Sequence, residues 1–94
     1  MKLNLNDTFN QQLPTDSNVS NTRRQVFEAA FSFVSPRVPS HPKLLHVADE
    51  VAELLGISQA ETQSLDFLNL VSGSVVYPDS KPYAMAYAGH QFGN

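Results

Sequence analysis

The chain has 94 residues, a length typical of one small domain, and carries a formal net charge of −3 with only 16% charged residues. An acidic balance argues against a general nucleic-acid binder, because such proteins use Lys and Arg to neutralise phosphates. The absence of cysteine excludes disulfides and thiolate metal sites within these residues. No apolar run approaches the roughly 20 residues of a membrane helix, and the N-terminus resembles neither a secretory nor a transit signal. Composition therefore predicts a cytoplasmic protein that binds neither nucleic acid nor membrane.

Residues 1–22 are rich in Asn, Asp, Ser and Thr, and they predict a mobile polar leader. Within this leader, Asp7 is placed to cap a short helical turn that runs through Phe9 to Leu13. Pro14 would end that turn, because the residue before a proline avoids the helical conformation.

From Arg23 onward the chain is more apolar. Residues 26–34 fit the period of a helix and also that of a strand buried on both faces. Their Phe and Val content, together with the following Pro36, favours the strand, which we predict over about residues 29–35.

Residues 43–56 allow either one continuous helix or a short strand followed by a shorter helix. In the single helix, Lys43 would lie at the positive end of the helix dipole and three carboxylates would crowd the negative end. We therefore predict a strand at 43–47 and a helix at 49–55. Gly56 then occupies the left-handed position that commonly terminates helices.

The clearest local signal is a capping box formed by Ser58 and Glu61. An apolar stripe at helical spacing follows it and ends at Gly73, so we predict one helix over 59–71. Farther along, residues 83–88 alternate large side chains with alanine, which predicts a strand with one small face. The sequence thus indicates an α+β fold of short strands with two helices.

The three histidines are not spaced as metal ligands. His41 falls in a proline-rich loop, His46 is predicted to be a partly buried strand residue, and His90 lies near the end of the chain. The carboxylates of the helix at 49–55 are interpreted as its solvated face, and no Gly-rich phosphate loop is complete. The residues therefore predict no catalytic group and no metal ligand.

One local feature indicates binding, because the strand with a small face runs into Gly89, His90, Gln91, Phe92 and Gly93. Glycines at a strand end let the backbone come close to a ligand, and the histidine and glutamine could supply polar contacts. On the pattern alone, a hairpin turn with a buried Phe92 remains the favoured alternative.

These residues carry a resemblance to the selenoprotein O family, which includes the bacterial YdiU-like proteins. Residues 83–93 resemble the Y-x-G-H-Q-F-G stretch of that family. Other stretches recur there in the same order and at similar spacing, namely residues 24–26, 30–36, 42–45, 54–56 and 70–73. The resemblance covers nearly the whole chain from about residue 5.

The resemblance implies a protein-kinase-like fold several hundred residues long. Members of the family are similar to pseudokinases that bind ATP in an inverted orientation and transfer AMP to Ser, Thr or Tyr hydroxyls of proteins. It therefore implies ATP with Mg²⁺ or Mn²⁺ as cofactors of the full-length parent, and proteins as its substrates. This chain would form the amino-terminal part of the kinase-like small lobe.

The family holds the nucleotide with a Gly-rich loop, a lysine and a later Asp/Asn/Asp set, and none of these matches a position in this chain. We therefore expect residues 23–94 to be an amino-terminal fragment of the catalytic domain. Such a fragment is scaffold without cofactor or activity of its own, and its partner is the rest of that domain. Residues 89–93 would lead into the nucleotide loop.

The alternative hypothesis is a stand-alone protein-binding module that uses the strand at 83–88 and the turn at 89–93. An exposed strand edge suits strand addition by a partner, and it also predicts self-association of the chain.

Overall fold

The structure is a computed structural model that describes residues 1–20 and 22–87. Within them the elements are α1 (Thr8–Gln12), β1 (Thr15–Asp16), β2 (Phe31–Phe33), α2 (Asp49–Leu54), α3 (Gln59–Thr62), α4 (Leu65–Ser72) and β3 (Tyr83–Met85). The predicted α+β class is confirmed. The chain divides into two compact units. The helical unit comprises Met1–Asn6 and Pro36–Ser80, and the sheet unit comprises Asp7–Ser35 with the described residues from Lys81 onward.

The sheet unit contains a sheet of three strands in the order β1-β2-β3. β1 runs parallel to β2, with Thr15 opposite Phe31, and β3 runs antiparallel to β2, with Met85 opposite Phe31. The predicted strand at 29–35 is confirmed in kind, although the ladder covers only Phe31–Phe33. Backbone hydrogen bonds donated by Ala30 to Pro14 and by Val34 to Pro82 extend the pairing at both ends.

An aromatic cluster of Phe9, Phe31, Phe33 and Tyr83 forms the interior of the sheet unit. The side chain of Phe31 is only 2% exposed. Its ring centroid lies 5.4 Å from that of Phe9 and 5.2 Å from that of Phe33. Phe9 also stacks on Tyr83 with the centroids 5.0 Å apart. Because aromatic pairs at this distance are favourable beyond their buried area, the cluster ties α1 to both β2 and β3.

The polar residues 1–22 contain α1 and β1. The Asp7 side chain accepts a hydrogen bond from the Asn10 backbone amide, so the predicted cap of the first turn is confirmed. β1 was not predicted, because a strand of two polar residues has no period and depends on pairing with β2. The mobility of these residues stays a prediction.

α2 of the helical unit begins with Asp49 and Glu50, as charge placement at the helix dipole predicts. Gly56 follows it with a φ of 74°, which confirms its predicted terminating role.

The predicted strand at 43–47 is wrong, because the structure has no strand in this segment. Leu44 and Val47 instead pack against a core of Ala52, Ile57 and Phe67. Two apolar side chains three residues apart face that core, and no neighbouring strand in the helical unit offers backbone partners. The segment is therefore held by side-chain packing rather than by a ladder.

The single helix predicted over 59–71 is also wrong, because α3 ends at Thr62 and α4 starts at Leu65. The Ser64 hydroxyl accepts a hydrogen bond from the Phe67 backbone amide at 3.2 Å and donates one to the Glu61 carbonyl at 2.6 Å. Serine competes with helical hydrogen bonding in this way, and here it starts a new helix. Gly73 ends α4 with a φ of 80°, as predicted.

The capping box at the start of α3 is confirmed in both directions. The Ser58 hydroxyl accepts from the Glu61 amide, and a Glu61 carboxylate oxygen accepts from the Ser58 amide, each at 3.1 Å. The other carboxylate oxygen of Glu61 lies 3.2 Å from the Met1 amino group. The bond from the Ser58 backbone is the main reason that the pKa of Glu61 lies below its ordinary value of 4.5, and the Ser58 hydroxyl and the Met1 amino group lower it further.

We predict that this carboxylate makes the helical unit sensitive to acid. A lowered pKa means that the stabilisation is complete above the ordinary value of 4.5 and is lost as the pH falls through the folded-state pKa. The stability difference between the unmodified chain and Glu61→Gln should therefore shrink as the pH is lowered, in urea unfolding followed by circular dichroism. Glu53→Gln, at an exposed carboxylate outside the capping box, is the matched control. An unchanged difference between the unmodified chain and Glu61→Gln across the acid range would contradict the prediction.

Candidate functional site

The motif predicted to lie near a ligand, Gly89 to Gly93, is outside the described residues. The structure does describe the strand that approaches it, although β3 is shorter than the predicted 83–88. Tyr83 joins the aromatic cluster, whereas Met85 and Tyr87 are 64% and 76% exposed. On the face that carries Tyr83, Met85 and Tyr87, only Tyr83 therefore packs into the interior of the sheet unit.

The structure gives no support to the histidines as a site. His46 is exposed and lies in no strand, so its prediction as a partly buried strand residue is wrong, and His41 is also exposed. Within residues 1–20 and 22–87, no group of three His, Asp or Glu side chains could hold a metal ion. His90 lies outside the described residues.

The sheet unit has a cleft of about 660 Å³ beside β1 and β2. At its edge Asp16 forms an ion pair with Arg24. Asp16 also accepts hydrogen bonds from the Asn18 amide at 3.1 Å and from the Ser32 hydroxyl at 3.3 Å. The carboxylate is thus engaged by three donors that come from the strand β2 and from the connection between β1 and β2.

Arg24 is similarly occupied by groups of the same connection. Besides its ion pair with Asp16, its guanidinium donates to the Asn18 carbonyl at 3.1 Å. A charge-paired guanidinium and a saturated carboxylate offer neither a free anion site nor a general base. The arrangement instead orders the chain that crosses from β1 to β2. The sequence pattern did not predict this role of Arg24, because its partners meet only after the strands pair.

The helices of the described residues are all too short or too polar to span a membrane.

Comparison with known proteins adds the family. The model of the family described as protein adenylyltransferase SelO matches residues 15–94. A relative from Flavobacterium johnsoniae, "Protein nucleotidyltransferase YdiU", is 51% identical over 98% of this chain and 18% of its own length. Proteins of the same name from Aromatoleum aromaticum and Tolumonas auensis are 41% and 40% identical, over 96% and 98% of this chain and 17% and 18% of their own lengths. No solved structure matches the chain.

The chain therefore spans less than a fifth of the length of these relatives. The match reaches from β1 through every later element to the residues beyond β3, which confirms the resemblance drawn from the sequence motifs. On this match over most of its length, the chain belongs to the SelO family of protein adenylyltransferases.

Proposed function

We propose that this chain is a structural part of a protein that transfers AMP from ATP to Ser, Thr or Tyr hydroxyls of other proteins, with Mg²⁺ or Mn²⁺ as cofactor. The observation that carries the proposal is the match to the adenylyltransferase family model over residues 15–94. The relatives named protein nucleotidyltransferases support the same class of reaction. A cytoplasmic location, consistent with the lack of cysteine, is part of the proposal.

In this reaction the hydroxyl oxygen of the target protein bonds to the α-phosphorus of ATP. The bond from that phosphorus to the bridging oxygen of pyrophosphate breaks, so that pyrophosphate leaves and the hydroxyl proton is released. Catalysis of such transfers depends on positioned cations and metal-binding carboxylates. The described residues do not fit a metal site, and the family's lysine and Asp/Asn/Asp set have no counterpart in this sequence.

The role that remains for the chain is scaffold. The carboxylate of Asp16 is engaged by three internal donors, and the carboxylates on α2 are exposed. Residues 89–93 belong to the proposal as the stretch that leads into the nucleotide loop. The partners implied are the rest of the catalytic domain and the protein substrates of the whole enzyme.

The test compares four proteins in an AMP-transfer assay. They are the Flavobacterium johnsoniae relative, the same protein without the region that this chain matches, a chimera in which this chain replaces that region, and the 94-residue chain alone. With Mg²⁺ or Mn²⁺, we expect the relative and the chimera to incorporate label from the α-phosphate of ATP and not from the γ-phosphate. The shortened protein and the 94-residue chain alone should incorporate neither label. Transfer of γ-phosphate, or an inactive chimera beside an active relative, would contradict the proposal.

A second candidate is a protein-binding module that uses the edge of β3. Among the described residues β3 is an edge strand of the sheet, because it pairs only with β2. The Met85 side chain on this strand is exposed. Strand addition at such an edge is a common mode of peptide recognition. The same assay separates the two hypotheses, because a region that only binds a partner protein would not be needed for AMP transfer. Full AMP transfer by the shortened relative would then favour the module.

A further inference from the structure

The helical unit has an apolar groove of about 280 Å³ lined by α2, α4 and the segment before α2. Ala52 and Phe67 lie buried at its base. Val51, Leu55 and Val71 line it and remain 52%, 61% and 56% exposed. The groove therefore extends from the apolar core of the helical unit to its surface.

This exposure is more than scattered apolar surface. The apolar core of the helical unit contains three buried residues, whereas Val51, Leu55 and Val71, which line the groove together, stay open to water. Contiguous exposed apolar surface of this kind marks a site of interaction, because covering it removes the cost of its hydration.

The helical unit as a whole is acidic, and this net charge restricts what can cover the groove. The unit has three Lys or Arg residues, Lys2, Arg37 and Lys43, and all of them lie outside residues 44–80, which contain its three helices. The same stretch has six carboxylates, none of which lines the groove itself: Asp49, Glu50, Glu53, Glu61, Asp66 and Asp79. A partner with Lys or Arg beside its apolar side chains would complement this surface. A second copy, docked groove to groove, would bring two such acidic surfaces together, and an anionic membrane would be repelled by it.

The length of the relatives indicates where such a partner lies. The matched region makes up 18% of the Flavobacterium johnsoniae protein, so the other four fifths of that polypeptide are available to cover the groove. We propose that the apolar groove is the docking site for an apolar segment flanked by Lys or Arg side chains, contributed by the part of the full-length polypeptide that this chain does not match. The inference rests on the proposed function only in taking the chain as part of a longer protein.

The test uses the chimera described above and the 94-residue chain side by side. Leu55→Asp changes a residue that lines the groove, and Leu54→Asp is its matched control on α2, at a side chain that is 85% exposed and does not line the groove. In hydrogen exchange followed by mass spectrometry, residues 44–55 should exchange more slowly in the chimera than in the isolated chain. Leu55→Asp should raise that exchange about tenfold in the chimera, and Leu54→Asp should leave it unchanged.

Neither substitution should alter the stability of the isolated chain, because both side chains are already exposed there. At the same position, Leu55→Arg should raise exchange in the chimera more than Leu55→Asp, since only arginine repels a cationic partner. Equal exchange in chimera and isolated chain would overturn the proposal. The proposal would also be overturned if sedimentation showed that the isolated chain forms a dimer and that Leu55→Asp dissociates this dimer. Since these readouts do not depend on AMP transfer, an inactive chimera with a protected groove would contradict the proposed function alone.

Discussion

Replacement of Phe31 by alanine is expected to unfold the sheet unit. Phe31 is 2% exposed, and its ring contacts those of Phe9, Phe33 and Tyr83. Truncation of a buried phenylalanine costs about 3–5 kcal/mol, through lost burial and the cavity that is left. A loss of that size is comparable to the whole stability of a small folded unit, about 5 kcal/mol.

The measurement is urea unfolding of the chain, with hydrogen exchange of residues 30–34 as the local probe. Phe27→Ala is the matched control in the same unit, because that side chain is 79% exposed and its truncation should change the stability by less than about 0.5 kcal/mol. Similar unfolding curves for the two variants would show that the aromatic cluster does not stabilise the sheet.

Replacement of Phe67 by alanine is expected to have the corresponding effect on the helical unit. Phe67 is 8% exposed and packs with Ala52 and Ile57, with Leu44 and Val47 against the same cluster. The other buried residues of this core are Ala52 and Ile57, so few neighbouring side chains can move into the cavity that the truncation leaves. We expect a loss of about 3–4 kcal/mol in the free energy of unfolding.

Leu65→Ala on the same helix is the control, because Leu65 is 69% exposed. The probe is hydrogen exchange of α2 and α4, which should lose protection in Phe67→Ala and keep it in Leu65→Ala. Retained protection of both helices in Phe67→Ala would mean that the unit is held by something other than this core.

The features that the sequence predicted correctly are those in which the interacting groups lie within a few residues of one another. Asp7 caps α1, Ser58 and Glu61 form their reciprocal pair, and Gly73 ends α4. Each depends on a side chain that reaches a backbone group three residues away, or on a glycine that adopts positive φ, so the local chain is sufficient to specify it.

The errors at 43–47 and 59–71 have different origins. Apolar spacing identifies which residues face a core, but it does not identify what supplies the core. Leu44 and Val47 face α2 and α4 rather than a strand, and Ser64 starts a new helix inside a stripe that reads as continuous. At 43–47 the alternatives differ in their tertiary partners, whereas at 59–71 the helix is broken by the local hydrogen bonds of Ser64, which the apolar period does not register.

By itself the sequence determined the family of this protein, its α+β class, the capping of α1 and α3, the glycine ends of α2 and α4 and the central apolar strand, because motif order, capping groups and residue period are properties of neighbouring residues. Only the tertiary structure decided that Thr15–Asp16 is a strand, that Asp16 joins Arg24 and Ser32, and that Val51, Leu55 and Val71 line one groove. These contacts join residues that are distant in the chain, and their formation depends on which elements pack together, a choice that no local pattern encodes.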